Sequence, residues 1–202
     1  MFVHGGYWRL FDKRPWSHFM SGPLTHGWAA AVPSYPLAPE ARLPEITQST
    51  AAAVIDAATR VDGPIVLVGH SAGGHLVARL ATEGGPLPPP VFERVSRVVP
   101  ISGLFDLRPM LRLAMNEDWQ LDHSTALAES PAFQMPKPGI RVVAWVGGAE
   151  RPEFIRHTQL LENAWTGCGA DIRAVLEPDR HHFDVIDGLK NPDHPLTREI
   201  VT

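Results

Sequence analysis

Short apolar runs recur along the chain, and half of them end in glycine or proline. Between them lie longer stretches whose apolar positions sit three and four apart. The runs at 1–3, 28–32, 65–69, 95–101, 142–146 and 172–176 have the length and β-branched content of buried strands. Residues 44–60 predict a helix, with Pro44 suited to its first turn and Ile46, Ala53, Val54 and Ala57 mostly on one face. Further helices are predicted at 72–82, through Leu76, Val77 and Leu80, and at 152–165, through Phe154, Leu160 and Leu161. Shorter helical pieces fall within 11–26, near 183–189 and near 195–201. Positions 102–138 are the least regular third, with helical patches near 107–115 and 122–128.

Strands alternating with helices predict an α/β fold: a mostly parallel sheet with helices on both faces. There is no internal repeat and no second apolar core pattern, so 1–202 reads as one domain. An irregular segment at about 103–138 is placed to line a pocket. A strand at the first residues is unusual, because domains seldom begin inside their core sheet. The expectation is a domain truncated at its N-terminus.

Composition narrows the function classes. Eighteen Lys and Arg against 22 Asp and Glu give a net charge of −4. That balance supplies no basic footprint for nucleic acid or an anionic membrane. No run approaches the roughly 18–20 apolar residues of a membrane span, and the N-terminus has no signal-peptide pattern. The single cysteine, Cys168, excludes an internal disulfide framework and suits a reducing compartment. A cytoplasmic location is therefore expected. The 20 prolines gather at 33–44, 86–90 and 131–138, which stiffens loops. No phosphate loop, dinucleotide fingerprint or cysteine cluster is present, so no cofactor is expected. Adjacent His181 and His182, with Asp184, lack the i, i+4 spacing of a zinc-protease motif, so no metal is expected either. The expected partner is a small-molecule substrate, and a homodimer is compatible with this reading.

The chemistry centres on Gly69-His70-Ser71-Ala72-Gly73, a G-x-S-x-G match between a predicted strand and a predicted helix. A turn that tight exposes the serine hydroxyl and leaves no room for side chains at Gly69 and Gly73. A free serine hydroxyl is a weak nucleophile and needs a histidine base, itself held by a carboxylate. In this arrangement the chain order is Ser, acid, His. His182 is the favoured base, with His181 read as a surface residue. Glu150, just past strand 142–146, is the favoured acid, and Asp106, past strand 95–101, is the alternative. Oxyanion donors are expected from the Ala72 N–H and from Gly6 or Tyr7 in His4-Gly5-Gly6-Tyr7, which follows a strand. His70 and His75 are read as structural. Trp8 and Phe105 are the candidate substrate contacts.

Together these segments resemble the α/β-hydrolase fold, and more narrowly the kynurenine formamidase (arylformamidase) group of esterase-like hydrolases. The resemblance rests on His4-Gly5-Gly6-Tyr7-Trp8, Tyr35-Pro36-Leu37-Ala38-Pro39-Glu40, Gly69 to His75, Ile101 to Leu107, Arg151-Pro152-Glu153-Phe154 and His181 to Ile186. It implies a Ser71, Glu150, His182 triad, with Glu at a position where the group usually has Asp. It also implies cleavage of a small aryl formamide, such as N-formylkynurenine, or of an ester. A general carboxylesterase is the near alternative, and a non-catalytic hydrolase-fold protein is the alternative from another class.

Overall fold

The computed structural model describes residues 1–202. Five strands form one sheet: β1 (Phe2–Val3), β2 (Ile65–His70), β3 (Val95–Ile101), β4 (Arg141–Gly147) and β5 (Asp171–Glu177). Their spatial order is β1-β2-β3-β4-β5 and every pairing is parallel. The central strands are apolar at successive positions because both faces of the sheet are covered. Alternate residues feed opposite layers. Leu67, Val98, Val142 and Ala144 join one core. Val66, Val68, Val99 and Val143 join the other.

Three long helices pack into the first layer: α1 (Leu43–Arg60), α2 (Ala72–Leu80) and α3 (Pro152–Trp165). They contribute Ile46 and Val54, Leu76 and Leu80, and Leu161 and Trp165 respectively. Each of α1 and α3 starts with a proline in its first turn, where a missing N–H costs nothing. Glu45 also closes the start of α1 by accepting the Arg42 N–H at 2.7 Å. Short helices cover the second face, bringing Phe19, Met20, Val185, Leu189, Leu196 and Ile200 against the sheet. No helix is long and apolar enough to cross a membrane.

Two expectations need correction. Residues 28–32 form no strand. A single ladder-like bond, Phe2 N–H to Ala31 O at 2.8 Å, joins them to β1. β1 has only two residues in the ladder, so it offers too few groups for a repeating pairing on its outer side. The proline-rich stretch at 86–90, expected to be loop, runs at its end into a short helix, Pro89–Arg94. The irregular segment is organised as four short pieces: Arg108–Arg112, Asn116–Trp119, His123–Ala128 and Pro131–Phe133. The carboxyl ends of β1 to β5 all point to one rim of the sheet, and the candidate residues converge there.

Candidate active site

Ser71 occupies the single residue between β2 and α2, with φ 56° and ψ −117°. A non-glycine residue holds such a conformation only when its surroundings impose it. Here the Ser71 N–H is pinned to Ile101 O at 2.8 Å. The flanking glycines leave room for this. A Cβ on Gly69 would lie 2.2 Å from Gly73 O, and one on Gly73 would lie 2.0 Å from Val3 O. Both clashes are with backbone, which cannot swing aside.

His182 comes to Ser71 from the loop after β5. Its Nε2 lies 3.1 Å from Ser71 Oγ, and its Nδ1 lies 2.6 Å from Glu150 Oε2. Glu150 sits in the turn after β4 with its carboxylate fully buried. Its other oxygen, Oε1, accepts the Ser102 hydroxyl at 2.5 Å and the Gly147 N–H at 2.9 Å. Both oxygens are therefore engaged, as a buried carboxylate requires. The two loops are also stitched together by backbone: Gly148 N–H to Glu177 O at 2.7 Å, and Ala149 N–H to Arg180 O at 2.9 Å. Asp106 takes no part. Its carboxylate is clasped by the Arg108 guanidinium at 2.8 and 2.9 Å, which holds it below the usual carboxylate range.

Gly6, Tyr7 and Trp8 have φ of 117°, 55° and 57°. The loop abuts the nucleophile, since a Cβ on Gly5 would lie 3.1 Å from Ser71 Cβ. Gly5 O is held by His4 Nδ1 at 2.8 Å. Gly6 O accepts the Arg9 and Leu10 N–H groups at 3.0 and 2.9 Å. A trans peptide directs its C=O and N–H oppositely. Tying back these carbonyls therefore turns the Gly6 and Tyr7 N–H groups the other way, and neither donates to a protein acceptor. Ala72 opens α2, so its N–H has no acceptor within the helix either. Three free donors thus border Ser71.

Trp8 and Phe105 are placed differently from expectation. Both are fully buried, so neither presents a face to a substrate in this structure. Trp8 packs edge-on against His75 and Trp119, with ring centroids at 5.2 and 5.6 Å. The Phe105 N–H donates to His157 Nδ1 at 3.0 Å. Besides Tyr7, the exposed rings near the site are Phe11 and Phe183, the latter 77% exposed. With Trp16, Phe19, His70 and Ile186 they border an apolar cleft of about 280 Å³ beside the elbow. A separate groove of about 170 Å³, lined by Trp28, Ala31, Val54 and Ile65 among others, contains no triad residue.

Sequence reasoning missed three supporting contacts. Ser102 steadies Glu150 from 48 positions away, and only its place in the Ile101-Ser102-Gly103 segment hinted at a role. Phe154, the aromatic of the Pro-Glu-Phe segment, stacks on His182 with centroids 4.1 Å apart and planes 25° from parallel. His70 is structural, as expected, but its particular contact was not foreseen: its Nε2 bonds to His182 O at 2.8 Å and so fixes the loop that carries the base. Burial lowers the His70 pKa to about 3, with the neighbouring His182 adding to the shift. The ring is therefore neutral, which avoids a like charge beside His182.

A family model described as alpha/beta hydrolase fold matches residues 1–155. A kynurenine formamidase of Salmo salar is 29% identical, over 98% of this chain and 70% of the relative. One of Danio rerio is 26% identical with the same coverage. Among solved structures, a protein of Silicibacter sp. TM1040, provisionally described as a thioesterase, is 50% identical with a TM-score of 0.94, covering 100% of this chain and 74% of its own. An arylesterase structure at 17% identity and a TM-score of 0.76 covers 99% of this chain and 72% of its own, and shares the fold.

Proposed function

From the premise that the chain belongs to the α/β-hydrolase fold family, we propose that Ser71, His182 and Glu150 form the triad of a serine hydrolase for small aryl formamides or esters. The observation that carries this reading is the continuous relay from Ser71 Oγ through His182 to Glu150, at 3.1 and 2.6 Å. Ser71 Oγ attacks the carbonyl carbon while His182 Nε2 takes its proton. Glu150, held by Ser102 and Gly147, stabilises the imidazolium. The developing oxyanion accepts the Ala72 N–H and those of Gly6 and Tyr7. His182 then protonates the leaving amine or alcohol, and the C–N or C–O bond breaks. The same histidine next deprotonates water, which attacks the acyl-serine. The acid leaves, formic acid in the formamide case, and Ser71 is restored.

The formamide reading is supported by the names of the two fish relatives. The 50% identical structure favours thioesters as a further substrate class. Turnover of N-formylkynurenine, a p-nitrophenyl ester and an aryl thioester by the purified protein distinguishes them. The expected result is N-formylkynurenine hydrolysis with the highest kcat/KM, abolished in Ser71→Ala. A folded wild-type protein that cleaves none of the three would overturn the reading.

A further inference from the structure

Three consecutive residues with positive φ, two of them large aromatics, are not held by local sequence preference. Such backbone persists only where the surrounding structure over-determines it. At this loop the local bonds reach only as far as Gly6 O, which the Arg9 and Leu10 N–H groups engage. The next carbonyl, Tyr7 O, takes its bond from a side chain 112 positions away: the Trp119 indole N–H, at 2.7 Å. Trp119 also packs edge-on against the Trp8 ring. Its neighbour Asp118 pairs with Arg9 at 2.6 Å. The Asn116–Trp119 turn therefore grips residues 7, 8 and 9 in succession.

The grip itself is rigid. Trp119 is buried. Gln120, in the left-handed region at φ 49°, closes the turn with its N–H on Asn116 O at 2.7 Å. The Asn116 side chain brackets Leu121 through two bonds, at 2.9 and 3.0 Å. Arg42 holds Gln120 O at 3.0 Å. A donor anchored this firmly fixes the plane of the Tyr7–Trp8 peptide. That plane sets Tyr7 ψ and Trp8 φ, and so holds the Tyr7 Cα at which the preceding peptide, with the free Tyr7 N–H beside Ser71, ends.

We propose that Trp119 is a positioning residue for the oxyanion loop: its indole N–H, not merely its ring, keeps the Tyr7 N–H aimed at the reacting carbonyl oxygen. The assignment rests on the hydrolase reading above. Gly6 O and Trp8 O keep their own bonds, the latter from the Ala38 N–H at 2.8 Å, so loss of the indole bond leaves the Tyr7–Trp8 peptide as the one unanchored plane. Tyr7 ψ and Trp8 φ then relax and Tyr7 Cα, with the N–H it carries, shifts from its place beside Ser71. The effect falls on the transition state more than on substrate binding, because the oxyanion forms only as the carbonyl is attacked.

The test replaces Trp119 with 3-benzothienylalanine, which keeps the bicyclic shape and removes only the N–H, alongside Trp119→Phe and Asp118→Asn. Steady-state kinetics on a p-nitrophenyl ester and binding of phenylboronic acid, whose tetrahedral serine adduct mimics the intermediate, are measured with thermal unfolding. For the isostere, kcat falls about 10- to 100-fold. KM stays within about twofold, boronate affinity falls in step with kcat, and the unfolding midpoint holds. Asp118→Asn lowers kcat by about two- to threefold in the same direction. A folded isostere variant with wild-type kcat, or a loss confined to KM, overturns the assignment. Should the isostere fail to fold, Trp119→Phe, which keeps an aromatic ring but lacks the N–H, decides, and an unchanged kcat there overturns it. An inactive wild type would sink the hydrolase reading together with this one; an active wild type indifferent to the indole N–H sinks only this one.

Discussion

The two halves of the site are held by different physics. Ser71 is positioned mainly by its own turn: a positive φ, one N–H bond to Ile101 O, and glycines two before and two after it that admit backbone at 2.0–2.2 Å from where a side chain would begin. The acid and base are positioned by hydrogen bonds between distant segments. Ser102 reaches Glu150, Glu150 reaches His182, and His70 reaches His182 O across sequence separations of 48, 32 and 112. A strained turn is rigid but intolerant of any added atom. A hydrogen-bonded network gives up one contact at a time. The nucleophile half should therefore fail abruptly when altered, and the acid–base half by degrees.

The largest effect expected is that of Ser71→Ala, which removes the only group able to form the acyl intermediate. Its kcat should fall on the order of 10⁴- to 10⁶-fold with the fold intact, as read by ester hydrolysis and circular dichroism. Glu150→Gln comes next, at about 10³- to 10⁴-fold, because a neutral amide cannot stabilise the imidazolium. Asp106→Asn, in the same assay, should lose less than about tenfold, since Arg108 and not His182 is its partner. Equal losses in the two variants would erase the distinction drawn between these carboxylates.

Gly73→Ala tests the abrupt side. Its new Cβ would meet the Val3 carbonyl, so urea denaturation should show a loss of about 2–3 kcal/mol together with lost activity. Ser102→Ala tests the graded side. Glu150 keeps the Gly147 N–H and the His182 ring, so kcat should fall only about tenfold.

A separate effect lies in the pH dependence of stability. His70 and His75 are buried with pKa lowered to about 3, and His157 to about 4, in each case mainly by desolvation. An unfolded histidine binds its proton near pH 6.5. Between that pH and the lowered values the unfolded chain carries more protons, so stability is lost as pH falls through this window. The slope is up to about 1.4 kcal/mol per pH unit for each histidine. His70→Gln should remove one of these three increments, measured as a shallower decline in stability from pH 6.5 to pH 4.

The same division explains what could be read in the sequence. The elbow is a local object, so Gly69, Ser71 and Gly73 announce it without any knowledge of the rest of the fold. The central strands and α3 were also legible, because burial on both faces or on one stripe imposes its own period; α3 runs over the expected 152–165. Residues 28–32 carry strand-like composition but lack a partner long enough to pair with, and pairing is not a local property. Trp8 and Phe105 were misjudged for a related reason. Adjacency in sequence to the oxyanion loop and to β3 says nothing about which way a ring turns, and both turn inward. Ser102, Phe154 and Trp119 act on residues 48, 28 and 112 positions away, so only the folded chain brings them to view.

Hydrolysis by this protein depends most on Ser71 being a nucleophile driven by the Glu150–His182 pair. Peptide mapping after reaction with a fluorophosphonate tests this directly, comparing wild type with Glu150→Gln. A single adduct on Ser71 is predicted, forming in the variant at a rate lower by about 10³-fold or more. An adduct on another residue, or equal labelling rates in the two proteins, would contradict it.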